Sequence, residues 1–204
     1  MTDADLQPPE VLSARVAAAL SGGARMIQYR DKSADGARRR EQAAAIVELC
    51  RRCDALSIIN DDPLLAGEVG ADGVHLGRDD AAIADVRRSL GAGSLIGVSC
   101  YNRLDLARDA QAAGADYVAF GSVFPSPTKP DAVRAAPELL RQARRELNVP
   151  IVAIGGITAE NAATVIAAGA DAVAVITDVF AAPDVTAAAA RIAALFPADT
   201  VNSP

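Results

Sequence analysis

Residues 70–77 read GADGVHLG, and the same pattern returns twice further along the chain. It recurs as GADYVAFG at 114–121 and as GADAVAVI at 169–176, with a looser fourth copy, GGARMIQY, at 22–29. In these copies a glycine that can end a helix and an aspartate suited to a tight turn come before a short apolar run. An apolar run bounded by turn residues predicts a buried parallel strand. The chain therefore repeats one unit of helix, turn and strand.

Seven strands are predicted to alternate with helices along the chain. The strands are 25–30, 56–60, 73–76, 95–99, 117–121, 151–154 and 172–176. The clearest helical patterns cover 37–52, 83–90, 104–112, 137–147 and 159–167. This alternation indicates a parallel sheet, and a single recurring unit favours an α/β fold of the closed TIM (β/α)8 type over an open doubly wound sheet. The GxGxxG turn of a dinucleotide fold is absent after the first strand, which also weighs against the open sheet.

A single barrel domain is expected over residues 1–204, because no linker divides the chain. Only seven strands are found where the barrel needs eight, so the usual first strand is missing. Residues 1–10 and 197–204 are expected to be poorly ordered. Either residues 1–10 replace the missing strand poorly, or a gap exposes apolar edges beside strands 25–30 and 172–176. An open edge of this kind predicts low stability or a homo-oligomer formed by pairing between chains.

Composition and charge narrow the class of protein. The net charge of −6 argues against a nucleic-acid-binding surface or an anionic membrane as partner. The sequence has no apolar run long enough to span a membrane, and residues 1–10 are too acidic and polar for a secretory signal, so a cytoplasmic protein is expected. Cys50, Cys53 and Cys100 are interpreted as reduced thiols. The CxxC spacing of the first two lies inside a helical pattern without a second pair, so a metal or redox role is not favoured.

Three polar residues, Gln28, Arg30 and Lys32, end the first predicted strand. Alternation along a strand places them on one face, which points into the mouth of the barrel. Such burial costs stability unless a ligand uses the groups, and two converging cations make an anion site. The alternative is a solvated strand end.

Acidic residues follow the next two strands. Asn60, Asp61 and Asp62 end the second strand, and Asp80 follows the third. Asp62 suits a helix N-cap before Pro63, which leaves Asn60 and Asp61 for another role. Carboxylate oxygens suit Mg²⁺, and a metal between acidic and cationic clusters suggests a bridged diphosphate.

His75 is the only histidine of the chain. Its apolar neighbours favour a packed, hydrogen-bonded histidine, with a general base as the alternative. Ser99 ends the following strand and has no nearby histidine to activate it. It is therefore interpreted as a hydrogen-bond donor and not as a nucleophile.

The last part of the chain offers a second anion site. Ser126, Thr128 and Lys129 lie between three prolines at 125–130 and could grip a phosphate from a stiff loop, although a rigid surface loop is the alternative. The turns that begin at Gly155-Gly156 and at Thr177 follow the last two strands, where βα-barrels often bind phosphate on backbone N–H groups.

With these motifs in place, the sequence resembles the thiamine-phosphate synthase family from about residue 12 to residue 196. The family pattern is Q-x-R-x-K, N-D-D, G-A-D-G-x-H-x-G-x-x-D, G-x-S, P-T-x-T-K, G-G-I and a final I-S. In this chain the corresponding segments are 28–32, 60–62, 70–80, 97–99, 125–129, 155–157 and 176–177. Each match alone is weak, but seven in order at predicted strand ends are specific. Ser126 and Thr177 depart from the pattern, and both keep a hydroxyl group.

The resemblance implies a Mg²⁺-dependent transferase. It would condense 4-amino-2-methyl-5-hydroxymethylpyrimidine diphosphate with a thiazole phosphate, forming thiamine phosphate and releasing pyrophosphate. The family would hold the diphosphate on Gln28, Arg30, Lys32, Asn60, Ser99 and Lys129. It would bind Mg²⁺ on Asp61 and Asp80, and the thiazole phosphate on Ser126, Thr128, Gly156, Ile176 and Thr177. Arg30, Ser99 and Lys129 are the implied catalytic residues.

Two other functions remain as alternatives. A thiazole tautomerase shares the fold, but it uses a histidine just after the G-x-S strand, where this chain has Cys100 and Tyr101. A barrel without its first strand could also bind thiamine phosphate without turnover. The full set of diphosphate and metal residues favours the synthase over both.

Overall fold

Seven parallel strands form one continuous sheet in the computed structural model, which describes residues 1–4, 6–77, 80–125 and 133–197. The strands are β1 (Met26–Tyr29), β2 (Leu56–Asn60), β3 (Gly73–Leu76), β4 (Leu95–Tyr101), β5 (Tyr117–Phe120), β6 (Ile151–Ile154) and β7 (Ala172–Ala174). Each pairs with the next in chain order. The predicted strands and their parallel arrangement are confirmed, although β4 is longer and β7 shorter than predicted.

Helices connect the strands over the same part of the chain. They are α1 (Pro9–Ser21), α2 (Gly36–Arg52), α3 (Pro63–Val69), α4 (Ile83–Leu90), α5 (Leu104–Ala112), α6 (Pro137–Glu146), α7 (Ala162–Ala167), α8 (Thr177–Phe180) and α9 (Val185–Ala193). The pattern at 83–90 and that at 104–112 match α4 and α5. The helix predicted from residue 159 begins only at Ala162, because turns occupy 159–161.

The aspartate of the repeated motif explains why the unit recurs. In each of the three close copies its carboxylate accepts a hydrogen bond from a backbone N–H of the preceding strand. The bonds join Ser57 N to Asp72, Ile96 N to Asp116 and Ile151 N to Asp171, at 2.7, 2.7 and 2.8 Å. The turn aspartate therefore ties β2, β4 and β6 to the strand that follows each of them.

The N-terminal residues lie between the first and last strands of the sheet. The backbone nitrogen of Thr2 donates to the Gln28 carbonyl at 2.8 Å, and that of Met1 donates to the Val175 carbonyl at 3.1 Å. Two neighbouring residues can reach both edges only if the sheet has curled until β1 and β7 approach each other. Thr2 is 1% exposed. The N-terminal segment, residues 1–3, is thus packed against the barrel and occupies the predicted gap, unlike the poorly ordered end expected for residues 1–10.

Candidate active site

The carboxyl ends of the strands gather the polar residues singled out by the sequence. On β1, Ile27 and Tyr29 are buried on the helix side, where the Tyr29 hydroxyl donates to Gln42 of α2 at 2.8 Å. Because side chains alternate along a strand, Gln28 and Arg30 face the barrel interior, as predicted. The Arg30 guanidinium lies 3.8 Å from the Asp3 carboxylate, and the backbone nitrogen of Arg30 donates to the Thr2 hydroxyl at 2.9 Å. The N-terminal segment therefore supports the Arg30 cation.

The structure brings Lys32, Asp61 and Asp80 together at the mouth of the barrel. The Lys32 ammonium lies 2.7 Å from Asp61, and the Asp61 and Asp80 carboxyl groups share a hydrogen bond. The backbone nitrogen of Gly77 donates to Asp80 at 2.5 Å, while Asn60 at the end of β2 also bonds to Asp61. These contacts join the ends of the first three strands into one cluster.

Asp61 and Asp80 titrate in opposite directions. Burial raises the pKa of Asp61, but hydrogen bonds from Lys32 and Asp80 outweigh it and hold that pKa below its ordinary value. Burial and the neighbouring Asp61 charge raise the pKa of Asp80. When both are ionised, the two carboxylates carry one more negative charge than the Lys32 ammonium balances. A divalent cation would supply the missing charge.

Tyr101 lies beside this acidic pair and was not predicted as a site residue. A Cβ atom built on Gly77 would meet both Asp61 Oδ1 and the Tyr101 hydroxyl at 3.9 Å, so the two groups border the same small space. Tyr101 has a φ of 54°, in the left-handed region that a tyrosine rarely adopts. Such backbone strain is often found at functional sites, and only the structure reveals it here.

His75 is packed inside the barrel, as predicted, and is 7% exposed. Its Nδ1 lies 3.1 Å from the Tyr117 hydroxyl and its Nε2 lies 2.8 Å from the Ser99 hydroxyl. The expectation that Ser99 has no histidine near it is therefore wrong, because His75 and Ser99 come from neighbouring strands and meet only in the folded barrel. Burial lowers the pKa of His75 to about 4, so the ring is neutral at pH 7.

Tyr117 is a second residue that the sequence did not single out. Its hydroxyl bonds to Gln28 as well as to His75, and its ring stacks on that of His75 with centroids 5.6 Å apart. A Cβ atom on Gly97 would come within 1.9 Å of the Tyr117 ring. The glycine of the G-x-S motif therefore makes room for the tyrosine.

The opposite side of the mouth is built from the ends of β5, β6 and β7. The nitrogen of Phe124 donates to the Gly155 carbonyl at 3.0 Å, and a Cβ atom on Gly156 would lie 2.2 Å from the Pro125 carbonyl oxygen. The chain that leads into the proline-rich loop thus lies directly on the Gly155-Gly156 turn. Ser126, Thr128 and Lys129 lie outside the described residues, so their predicted roles stay predictions.

Ile176 and Thr177 follow β7 at the same end of the barrel. Ile176 is the N-cap of α8, and Thr177 is its first residue. The Asp178 carboxylate accepts a hydrogen bond from the Ala159 nitrogen at 3.1 Å, which ties this turn to the one after β6. The two turns predicted to bind phosphate are therefore adjacent.

The described ranges contain no further metal cluster and no membrane-spanning helix. Within them, no group of three or more His, Cys, Asp or Glu side chains could hold a metal ion, and no helix is long and apolar enough to cross a membrane. Cys50 is buried, which raises the pKa of its thiol to about 12, whereas Cys53 is exposed at the end of α2. Burial of this kind disfavours the thiolate that metal binding and redox exchange require.

Comparison with known proteins identifies what the chain resembles. A family model described as thiamine monophosphate synthase matches residues 1–179. A thiamine-phosphate synthase of Thioalkalivibrio sulfidiphilus is 60% identical over 92% of this chain and 89% of its own. One of Nitrosococcus oceani is 53% identical over 100% of this chain and 94% of its own. The structure of a thiamine phosphate pyrophosphorylase from Pyrococcus furiosus superposes with a TM-score of 0.87 at 38% identity, covering 95% of this chain and 92% of its own.

Proposed function

Because the chain belongs to the thiamine monophosphate synthase family, we propose that one side of its barrel mouth binds Mg²⁺ and a pyrimidine diphosphate and the other a thiazole phosphate. The activity is that of a thiamine-phosphate synthase, a transferase that joins the two substrates and releases pyrophosphate. The assignment of individual residues to this reaction is the part that we propose.

The diphosphate is assigned to the side built from β1, β2 and β4. Arg30 and Lys32 supply positive charge there, and Gln28, Asn60 and Ser99 supply neutral hydrogen-bonding groups. Cations and oriented donors are the groups that stabilise a departing pyrophosphate, because negative charge grows on it as the bond breaks. Lys129 is assigned to the same leaving group from the proline-rich loop. Arg30, Ser99 and Lys129 are the residues that we assign to catalysis.

Mg²⁺ is assigned to Asp61 and Asp80, and the donor set fits this ion. Mg²⁺ commonly binds one or two carboxylates and completes its coordination with water and substrate phosphate. The carboxyl groups of Asp61 and Asp80 hydrogen-bond to each other, and burial together with the Asp61 charge raises the pKa of Asp80. When bound, the ion would neutralise charge on the pyrophosphate. The Lys32 ammonium, 2.7 Å from Asp61, then balances the remaining carboxylate charge.

The thiazole phosphate is assigned to the turns after β6 and β7. Gly156 lies in the turn after β6, and Ile176 and Thr177 lie in the turn after β7, the place where βα-barrels often bind phosphate on backbone N–H groups. Ser126 and Thr128 are assigned to the same phosphate through their hydroxyl groups. This arrangement would hold the thiazole nitrogen facing the pyrimidine methylene carbon.

The reaction requires the protein mainly to supply charge and to position the two substrates. An aminopyrimidine can stabilise the cation left when pyrophosphate departs, and the thiazole nitrogen then bonds to the methylene carbon. The protein must neutralise the leaving group, align the substrates and keep water out. A neutral, buried His75 agrees with this scheme, because no step requires a general base of that kind.

The observation that carries the proposal is the Lys32–Asp61–Asp80 cluster, in which the two carboxyl groups hydrogen-bond to each other where three strands end. Pyrophosphate release should require both substrates and Mg²⁺. Asp61→Asn and Asp80→Asn should each lower turnover by about 10²-fold or more, a loss equal to about 3 kcal/mol of transition-state stabilisation. Asp109→Asn, on the exposed face of α5, is the matched control and should keep wild-type turnover.

Lys129 supplies an independent check. Lys129→Ala should lower turnover by orders of magnitude while the thermal unfolding midpoint stays at the wild-type value. If the wild-type chain, given both substrates and Mg²⁺, releases pyrophosphate only at the background rate, the proposed function as a whole is wrong. Near-normal kinetics of Lys129→Ala would instead remove only that residue from the site.

The tautomerase alternative gains no support from the structure. The position after the G-x-S strand holds Cys100, which is buried and whose Sγ lies 3.6 Å from the Val98 carbonyl oxygen. Burial raises the pKa of this thiol to about 12, so it is a poor general base.

The proposal includes a cytoplasmic location, supported by the kind of reaction, which consumes two phosphorylated metabolites. Cell fractionation tests it. Self-association into a homo-oligomer stays a prediction, for which sedimentation velocity is the measurement.

A further inference from the structure

Four polar side chains form one hydrogen-bonded chain across the barrel interior. Gln28 bonds to the Tyr117 hydroxyl, which lies 3.1 Å from Nδ1 of His75, and Nε2 of His75 lies 2.8 Å from the Ser99 hydroxyl. His75 and Tyr117 are 7% and 6% exposed. The chain begins and ends on residues assigned to substrate, and its two middle members are buried.

Hydrogen bonding allows two directions along this chain. A neutral imidazole carries one hydrogen, on Nδ1 or on Nε2, and leaves the other nitrogen as an acceptor. With the ring hydrogen on Nδ1, Nε2 would accept a hydrogen bond from the Ser99 hydroxyl, and the hydroxyl hydrogen of Ser99 would then point away from the mouth. With the hydrogen on Nε2, the ring donates to the Ser99 oxygen, and the Ser99 hydrogen is free to point into the mouth.

A bound diphosphate selects the second direction, because its oxygen atoms only accept hydrogen bonds. The Ser99 hydroxyl must then donate to the anion and accept from Nε2 of His75. Nδ1 becomes the acceptor for the Tyr117 O–H, and the Tyr117 oxygen accepts from the Gln28 amide. Each hydrogen bond of the chain then joins one donor to one acceptor, which a buried polar network needs if it is to be stable.

We propose that His75, backed by Tyr117, is a positioning residue that holds the Ser99 hydroxyl as a hydrogen-bond donor to the diphosphate of the pyrimidine substrate. The inference rests on the proposed function, because it assumes a diphosphate beside Ser99. His75 moves no proton in this scheme, and it contacts neither substrate. Its contribution is to fix the rotation of one hydroxyl group before the substrate arrives.

Two substitutions of His75 separate its two contacts. In His75→Asn the shorter amide can replace Nδ1 and keep the bond to Tyr117, but it does not reach Ser99. In His75→Gln the longer amide can replace Nε2 and keep a donor for Ser99. We expect His75→Asn to lower kcat for pyrophosphate release about 10- to 100-fold, the range for losing a hydrogen bond to a charged group. His75→Gln should recover most of that loss, and KM for the thiazole phosphate should stay unchanged in both variants.

The decisive measurement repeats His75→Asn in a Ser99→Ala background. A residue that acts through Ser99 has nothing left to position there, so the second substitution should lower kcat by less than about twofold. Ser57→Ala is the control for losing a buried hydrogen bond elsewhere. The Ser57 hydroxyl donates to Asp72 at 2.6 Å away from the mouth, so this variant should lose stability and keep its kcat.

Equal losses from His75→Asn with and without Ser99 would overturn the inference, because His75 would then act on the fold or on another group. Equal activity of His75→Asn and His75→Gln would overturn it as well. Circular dichroism and thermal unfolding of each variant show whether a loss of turnover reflects unfolding. Wild-type protein without pyrophosphate release would contradict the proposed function itself, a result distinct from either of these.

Discussion

Replacing Gly97 with alanine should destabilise the barrel and disturb the hydrogen-bonded chain in its interior. The added Cβ atom would lie 1.9 Å from Cζ of Tyr117 and 2.3 Å from its hydroxyl oxygen. No contact that short survives, so the tyrosine ring has to move. Tyr117 begins strand β5, is buried and stacks on His75, which leaves the ring little free space.

The cost has two parts. Forcing extra volume into a packed core costs about 1–3 kcal/mol. Displacing the Tyr117 hydroxyl also breaks its bonds to Gln28 and His75, at about 1 kcal/mol each. Together the free energy of unfolding should fall by about 3–5 kcal/mol, a large share of the roughly 5–15 kcal/mol that stabilises a typical domain.

Urea denaturation of wild type and Gly97→Ala, followed by circular dichroism, measures this loss. Tyr117→Leu removes the ring atoms that the new Cβ would strike, so in that background Gly97→Ala should cost less than about 0.5 kcal/mol more. A Cβ built on Gly93 meets no heavy atom of the described residues within 4 Å, and Gly93→Ala should leave stability within about 0.5 kcal/mol of wild type. If Gly97→Ala costs as much in the Tyr117→Leu background as it does beside the native tyrosine, the steric argument is refuted.

Stability should also depend on pH through His75, whose folded pKa of about 4 lies below its ordinary 6.5. Between pH 4 and 6.5 the unfolded chain protonates this histidine and the folded chain does not. About 3 kcal/mol of stability that is present above pH 6.5 is therefore lost as the pH falls to 4. Urea denaturation of wild type and of His75→Gln should show this loss only in wild type. Asp116→Ala should lower the free energy of unfolding by about 1–3 kcal/mol, because the β4 backbone N–H of Ile96 loses its partner, whereas Asp109→Ala should be neutral in the same titration. Gly156→Ala should raise KM for the thiazole phosphate by more than KM for the pyrimidine diphosphate in steady-state assays, since its φ of 62° and its close neighbours leave no room for a side chain; equal changes in both constants would argue against its assigned subsite.

The strands and the outline of the site could be predicted because local patterns encode them. The GAD repeat marks where strands begin, and the polar residues that follow each apolar run lie at the mouth because parallel strands end on the same side. The proximity of Lys32, Asp61 and Asp80 follows from this rule alone. The hydrogen bond between Asp61 and Asp80 does not, because it depends on distances of a few ångström between loops.

Contacts between strands could not be predicted from the sequence. Gly97 pairs with Tyr117 and with His75 in the sheet, but the register that aligns them depends on the whole barrel. The chain from Gln28 to Ser99 therefore emerges only in the structure. The packing of Thr2 between β1 and β7 is likewise a long-range event, since a polar N-terminus has no strand pattern of its own. The register of β4 against β5 shifts between Ser99 and Tyr101, and β4 continues past its predicted end to pair Tyr101 with Phe120.

The carboxylate clasps formed by Asp72, Asp116 and Asp171 bear on how the barrel assembles. Each clasp joins residues only 15, 20 and 20 positions apart. Closing such a short segment costs little entropy, and contacts of small sequence separation form early in folding. Neighbouring strands can therefore find their alignment two at a time as the chain emerges, long before the ends of the sheet meet. The site at the mouth, which needs the ends of all these strands together, would then be completed in the last step.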